Sequence, residues 1–182
     1  MAYFSIATYK TAGNAATTQN LVTLTNGASS AKTVKVKAVR ISLDTTAAIT
    51  SISPQLKLNR VTGTPSGGTS LTSRKFIWDT KGTASNTSVT ILGATASDGG
   101  AATAITATLG SLLYQPFGWR LHTAANFTCP VTTINMLPQF AGNSGEFILV
   151  AGESLVVSVA AIAAASNPST NNYLTTIVWE EV

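Results

Sequence analysis

Turn-forming clusters interrupt this chain along its whole length, and they cap how long any regular element can run. Asn26-Gly27, Gly67-Gly68, Lys81-Gly82, Asp98-Gly99-Gly100, Gly142-Asn143-Ser144-Gly145 and Ala151-Gly152 are the clearest. Glycine and asparagine reach the positive-φ conformations that tight turns demand, at little steric cost. Between these points lie short segments rich in Val, Ile, Thr, Leu and aromatics. β-Branched and aromatic side chains fit a pleated, half-buried surface better than a helix. Short strands punctuated by turns are the pattern of an all-β sandwich or barrel. Strands are expected near 3–9, 19–25, 33–43, 54–62, 70–79, 87–92, 103–109, 118–122, 146–150, 154–163 and 172–181. In 103–109 and 154–163 alanine leaves helix and strand hard to separate.

Thr33–Leu43 is the most informative segment. Val34, Val36 and Ala38 alternate with Lys35 and Lys37; then the phase flips, and Val39, Ile41 and Leu43 alternate with Arg40 and Ser42. Side chains on a strand repeat with period two, so a strand of fixed register cannot change its apolar face. A β-bulge near Ala38 would restore the phase, as would a strand passing from one sheet to another. Partial burial of both faces is the other reading. The C-terminal segment sets Tyr173, Thr175, Ile177 and Trp179 on one face against Leu174, Thr176, Val178 and Glu180. Its ending, Glu180-Glu181-Val182, suggests a strand at a sheet edge, with the acidic pair solvated or blocking edge pairing.

A chain of 182 residues fits one domain. Residues 19–182 are read as a single β-sandwich, and 1–18 as an N-terminal arm or as its first strand. Tyr3, Phe4 and Tyr9 precede the small-residue run Gly13–Asn20, which suits an arm packing on a neighbouring subunit. The low-complexity stretch 93–110 reads as a second excursion of that kind.

Side chains that do chemistry are scarce: one histidine (His122), one cysteine (Cys129) and seven carboxylates. General acid–base and nucleophilic catalysis need titratable groups within hydrogen-bond reach of one another. Asp44, Asp79, Asp98, Glu146 and Glu153 are spread along the chain, and adjacent Glu180 and Glu181 point to opposite faces of a strand. A zinc site takes three or four ligands, commonly His and Cys, which one of each does not supply. Cys129 precedes Pro130 and has no basic neighbour to activate it. No serine lies in a G-x-S-x-G elbow. Gly63–Ser70 lacks the lysine of a phosphate-binding loop, and no D-x-[DN]-x-[DN]-G calcium loop is present. No enzyme, no cofactor and no metal is expected.

Only 10% of residues are charged, and the net charge is +4 with 11 Lys and Arg spread thinly. A nucleic-acid binder concentrates its basic residues, so none is expected as partner. Lys32, Lys35, Lys37 and Arg40 form either a solvated face or a patch for an acidic protein surface. Trp78, Trp119, Trp179 and Tyr114 would serve a sugar-binding platform if exposed and coplanar, but the apolar settings of Trp78 and Trp119 favour the core. A lone cysteine forms no internal disulfide, consistent with a reducing cytoplasm. The start, MAYFSIATYK, has no basic stretch leading into an apolar one, so no secretion signal is expected. The apolar run from Leu155 falls short of the about 20 residues that span a bilayer, and no membrane is expected as partner.

Four segments carry a resemblance. Val34-Lys-Val-Lys-Ala-Val-Arg-Ile-Ser-Leu-Asp44, Leu58–Leu71 with its Gly-Gly-Thr turn, Gly152-Glu-Ser-Leu-Val-Val-Ser-Val159 and Thr176-Ile-Val-Trp-Glu-Glu181 follow in that order. The chain resembles small virion proteins of tailed bacteriophages, among them head decoration or cement proteins. It differs in the long Ala/Gly/Thr stretch after Leu92. The resemblance implies a jelly-roll-like antiparallel β-sandwich, often a homotrimer, made in the host cytoplasm. Its place would be the capsid surface of the virion, where it would bind the major capsid protein and stabilise the shell. Tyr3, Phe4, Tyr9, Lys35, Lys37 and Arg40 are the candidate interface residues. A jelly-roll shell protein of a small virus is one alternative, although Lys10 is the only basic residue among the first thirty, short of a genome-neutralising arm. A glycan-binding or adhesive tail module is the other.

Overall fold

The structure is a computed structural model that describes residues 2–12, 19–45, 56–62, 70–71, 74–75, 94–97, 108–114, 134–135, 139–140, 143–144, 147–159 and 171–182. These residues form strands and turns only, with no helix among them. The long strands are β1 (Ala2–Ala12), β2 (Gln19–Asn26), β3 (Val34–Thr45) and β4 (Leu56–Thr62). The two-residue pieces β5 (Ser70–Leu71) and β6 (Arg74–Lys75) follow, then β7 (Ala94–Ser97) and β8 (Thr108–Tyr114). Next come β9 (Ile134–Asn135), β10 (Gln139–Phe140) and β11 (Asn143–Ser144). Last are β12 (Phe147–Leu149), β13 (Glu153–Val159) and β14 (Asn171–Glu181).

Two antiparallel sheets result. One runs β12-β3-β14-β1-β6, with β9 also on β3; the other runs β5-β7-β2-β13-β4-β8; β10 and β11 pair with each other. Apolar side chains from both sheets join in one core. Phe4, Ile6, Val36, Val39, Ile41, Ile177 and Trp179 come from the first, and Leu24, Leu58, Leu155, Val157 and Val159 from the second. Each first-sheet residue in that set is in register with its neighbours: Phe4 lies beside Trp179, which lies beside Val36, and Ile6 beside Ile177 beside Val39. The Phe4 and Trp179 rings stack with centroids 5.8 Å apart.

The phase flip in β3 has a structural answer. Val178 pairs with Ala38 and Trp179 with Val36, so Lys37 is an extra residue in the ladder. Val34 and Val36 are buried before this bulge, and Val39 and Ile41 after it. One inserted residue keeps all four on the core face, as the two-residue period requires.

One expectation changes at the C-terminal end. β14 is not an edge strand: it lies between β3 and β1 in the middle of its sheet. Accordingly Glu180 and Glu181 are not solvated but buried, each 4% exposed. Of the two readings of the N-terminus, arm or first strand, residues 2–12 take the strand. They pair with β14 from Ala2–Glu181 to Ala12–Asn171 without a break. Sequence could not separate these readings, because an aromatic-rich strand looks alike whether its partner is its own sheet or a neighbour's.

The stretch 93–110 is partly strand as well. Ala94–Asn26 through Ser97–Thr23 pair β7 with β2, and Thr108 opens β8. Residues 98–107 lie outside the described set, as do the expected strands 87–92 and 118–122.

Candidate interaction face

The end of the sandwich nearest Val182 is held by a cluster of polar contacts that fix β14 and its neighbours. Thr33 donates to the Val182 carbonyl at 2.8 Å, and Val182 donates back to Thr33 at 3.0 Å. Asn26, wholly buried at the end of β2, donates to the Lys32 and Leu149 carbonyls at 2.9 and 3.1 Å, so it joins the two sheets. Gly152 donates to the Asn26 carbonyl at 2.9 Å, and its φ of 81° is the left-handed value that favours glycine. Beside it Glu153 accepts from Arg60 Nε and Nη2 at 3.0 and 2.7 Å and from the Val150 amide at 2.9 Å. The bidentate Arg60 contact ties β4 to β13, and the Val150 contact closes the corner between β12 and β13. Together they commit Glu153 to structure.

Glu181 points inward from the same end. Its carboxylate accepts from Trp179 Nε1 at 3.5 Å and lies 3.7 Å from Lys32 Nζ. Burial pushes its pKa above the ordinary value, and the Trp179 and Lys32 contacts pull against that. Glu180 points the other way, with its carboxylate 3.4 Å from Lys37 Nζ. Adjacent acids on opposite faces of a sheet do not form a catalytic pair.

The outer face of the first sheet gathers most of the residues singled out from sequence. Tyr3, Glu180, Lys35 and Ile148 make one row across β1, β14, β3 and β12. Ala7, Thr176 and Arg40 make another, and Tyr9, Leu174 and Ser42 a third. Tyr3 is 45% exposed, Tyr9 59%, Leu174 40% and Ile148 39%. Arg40 is exposed, and Lys35 and Lys37 are half-buried. Five of the six candidates thus share one surface although they come from both ends of a strand order, β1 and β3, that only β14 connects. Phe4 is the exception: it alternates inward and is 6% exposed, a core residue rather than an interface one.

Sequence reasoning missed Leu174 and Ile148. The signal was available in the opposite-phase set Leu174, Thr176, Val178 and Glu180, since a half-apolar outward face is unusual for a solvated sheet. Trp179 is fully buried, so it forms no sugar platform. Trp78, Trp119, His122 and Cys129 lie outside the described residues, as does the Tyr114 side chain. Among the described residues no group of three His, Cys, Asp or Glu side chains is placed to hold a metal ion.

Comparison with known proteins adds no relative: no family model, no curated protein and no solved structure matches the chain.

Proposed function

We propose that this chain is a non-enzymatic virion structural protein that decorates the outer surface of a phage head and stabilises its shell. The observation that carries the reading is the outer face of β12, β3, β14 and β1, where Tyr3, Tyr9, Leu174 and Ile148 are exposed beside Lys35, Lys37 and Arg40. Exposed apolar surface rimmed by polar groups marks a contact with another macromolecule. The carboxylates that can be traced, Glu153, Glu180 and Glu181, are each tied to a cation.

The order of strand pairing supports a jelly roll. Take the eight principal strands in chain order as β1, β2, β3, β4, β8, β12, β13 and β14. The first pairs with the last, β2 with β13, β3 with β12 and β4 with β8, all antiparallel. A long antiparallel ribbon wound once around itself produces that nesting, and it divides into the sheets β12-β3-β14-β1 and β2-β13-β4-β8. Double-sheet jelly rolls of eight strands recur in viral capsid and lectin domains. The resemblance to decoration proteins adds the partner, a major capsid protein, and a trimeric assembly.

The test is immunogold labelling of purified particles with antibody to the chain, together with their heat resistance. Labelled head surfaces, and lower heat resistance in particles prepared without the protein, are the expected results. Unlabelled heads of unchanged resistance would overturn the reading. Closed shells formed by the protein alone would replace it with a shell-protein role.

A further inference from the structure

We propose that Asn26-Gly27 is a deamidation site that the fold keeps closed, and that its conversion stops an opened chain from folding back. It is the one Asn-Gly pair in the chain. The inference stands whether or not the protein decorates a phage head.

The chemistry needs only the chain and water. Glycine has no Cβ to hinder ring closure, so asparagine followed by glycine is the pair most prone to the reaction. The Gly27 amide nitrogen loses its proton and attacks Asn26 Cγ. The N–Cγ bond forms, the Cγ–Nδ2 bond breaks, and the side-chain nitrogen leaves as ammonia, taking up the proton. Water then opens the succinimide ring at either carbonyl, leaving aspartate or isoaspartate at position 26.

The folded structure holds both halves of that ring. The leaving nitrogen, Asn26 Nδ2, donates to the Lys32 carbonyl at 2.9 Å and to the Leu149 carbonyl at 3.1 Å. The peptide unit that carries the attacking nitrogen is fixed as well, since the Asn26 carbonyl accepts from the Gly152 amide at 2.9 Å. Bringing Cγ onto the Gly27 nitrogen turns the side chain or that peptide and breaks these bonds. Asn26 is also 0% exposed, away from the water that opens the ring. Reaction therefore waits until this end of the sandwich opens.

The products do not fit back. Aspartate sets an acceptor oxygen where Nδ2 donated, facing two carbonyl oxygens in a buried place. Asn26 Oδ1 is buried with no donor among the described residues, so a carboxylate finds no compensation there. Isoaspartate also lengthens the main chain by one carbon, just before the turn in which Ser30 donates to the Gly27 carbonyl.

The test uses the purified full chain in mildly alkaline buffer, with and without urea above its unfolding midpoint. Tryptic peptide 11–32 carries the site, and its fragmentation separates Asn26 from Asn14 and Asn20. Conversion at Asn26 is expected at least about a hundredfold faster in urea, because the native rate is limited by the open fraction. Gly152→Ala strains the positive-φ residue that donates to Asn26, and is expected to speed conversion in buffer about five- to thirtyfold. Equal rates in buffer and urea would overturn the closed site, and so would conversion in urea that favours Asn14 or Asn20. Converted chains, separated by anion exchange and diluted from urea, are expected not to regain the parent's near-ultraviolet signal. Asn26→Asp, expressed as such, checks the same point without refolding. Insoluble protein, or a lower urea midpoint than Asn26→Ala, is expected. A midpoint equal to the parent's, in that variant or in converted chains, would overturn the block on refolding.

Discussion

Asn26 and Glu181 show how much of this molecule depends on polar side chains that look unremarkable in sequence. Asn26 reads as half of an Asn-Gly turn, yet its amide holds the carbonyls of Lys32 and Leu149 across the two sheets. Replacing it with alanine leaves both carbonyls without that donor in a buried place. Asn26→Ala is therefore expected to cost about 2–3 kcal/mol, read as a lower urea midpoint at unchanged slope. A loss below about 0.5 kcal/mol would mean that the two carbonyls find other donors. Glu181 works in the opposite sense. Its pKa is raised in the folded protein, so folding favours the protonated form. The stability linked to that proton is full below the ordinary value of 4.5 and is lost as pH rises through the higher folded value. Glutamine keeps an acceptor for the Trp179 indole and never ionises. Glu181→Gln is expected to melt about 2–4 °C above the parent at pH 7, with the gap closing near pH 4. A variant that melts lower than the parent at pH 7 would show that the Lys32 contact outweighs burial.

At the scale of the element, the bulge in β3 makes a sharper test than any point substitution. Removing Lys37 leaves Val34-Lys-Val-Ala-Val-Arg-Ile, an unbroken alternation in which Val34, Val36, Val39 and Ile41 all face the core. The ladder with β14 would become regular, at the cost of the Lys37–Glu180 ion pair. That deletion is expected to fold cooperatively, within about 2 kcal/mol of the parent by urea denaturation. Removing Ala7 from β1 has no such remedy. The β1–β14 register is unbroken, so Phe4 and Ile6 would be thrown out of phase with Thr8. Insoluble or non-cooperative protein is the expected outcome there, and two deletions of equal effect would contradict the bulge. The alternation of β3 and β14 was legible because each has one face in the core and one turned away. β13 was obscure for the opposite reason: Glu153 to Val159 are all buried, so Ser-Leu-Val-Val-Ser-Val shows no period to read. The residues of the outer face could each be read from sequence, but their meeting could not. What joined Tyr3 and Tyr9 to Lys35 and Arg40 was long-range pairing through β14, and no local pattern encodes that.

For the whole molecule, the nesting of strand pairs makes the two ends of the chain structural neighbours. β1 and β14 are separated by nearly the full sequence, yet they pair over eleven positions and share the Phe4–Trp179 stack. Such long-range pairing places loop-closure entropy early in folding and predicts slow folding for this topology. It also separates an arm from a strand by experiment. If residues 2–12 were an appendage, cutting them away would leave the core intact, and a folded protein would remain with the same melting temperature. In the structure their loss removes Phe4 and Ile6 from the core, where each large-to-small change alone costs about 2–5 kcal/mol. It also bares one side of β14, where unpaired backbone groups and the flanks of Trp179 and Ile177 invite pairing with other chains. Those losses exceed the about 5–15 kcal/mol that holds a typical domain together only if they add to the missing ladder of backbone bonds, and here they do. A chain lacking residues 2–12 is expected in the insoluble fraction, or as a soluble aggregate by light scattering. Adding back a synthetic peptide of residues 1–12 during refolding is expected to recover soluble protein with the parent's near-ultraviolet signal from Trp179. A stable, monomeric truncated chain would instead make the N-terminus free to pair elsewhere, and would move the search for intersubunit contacts from the outer face to β1.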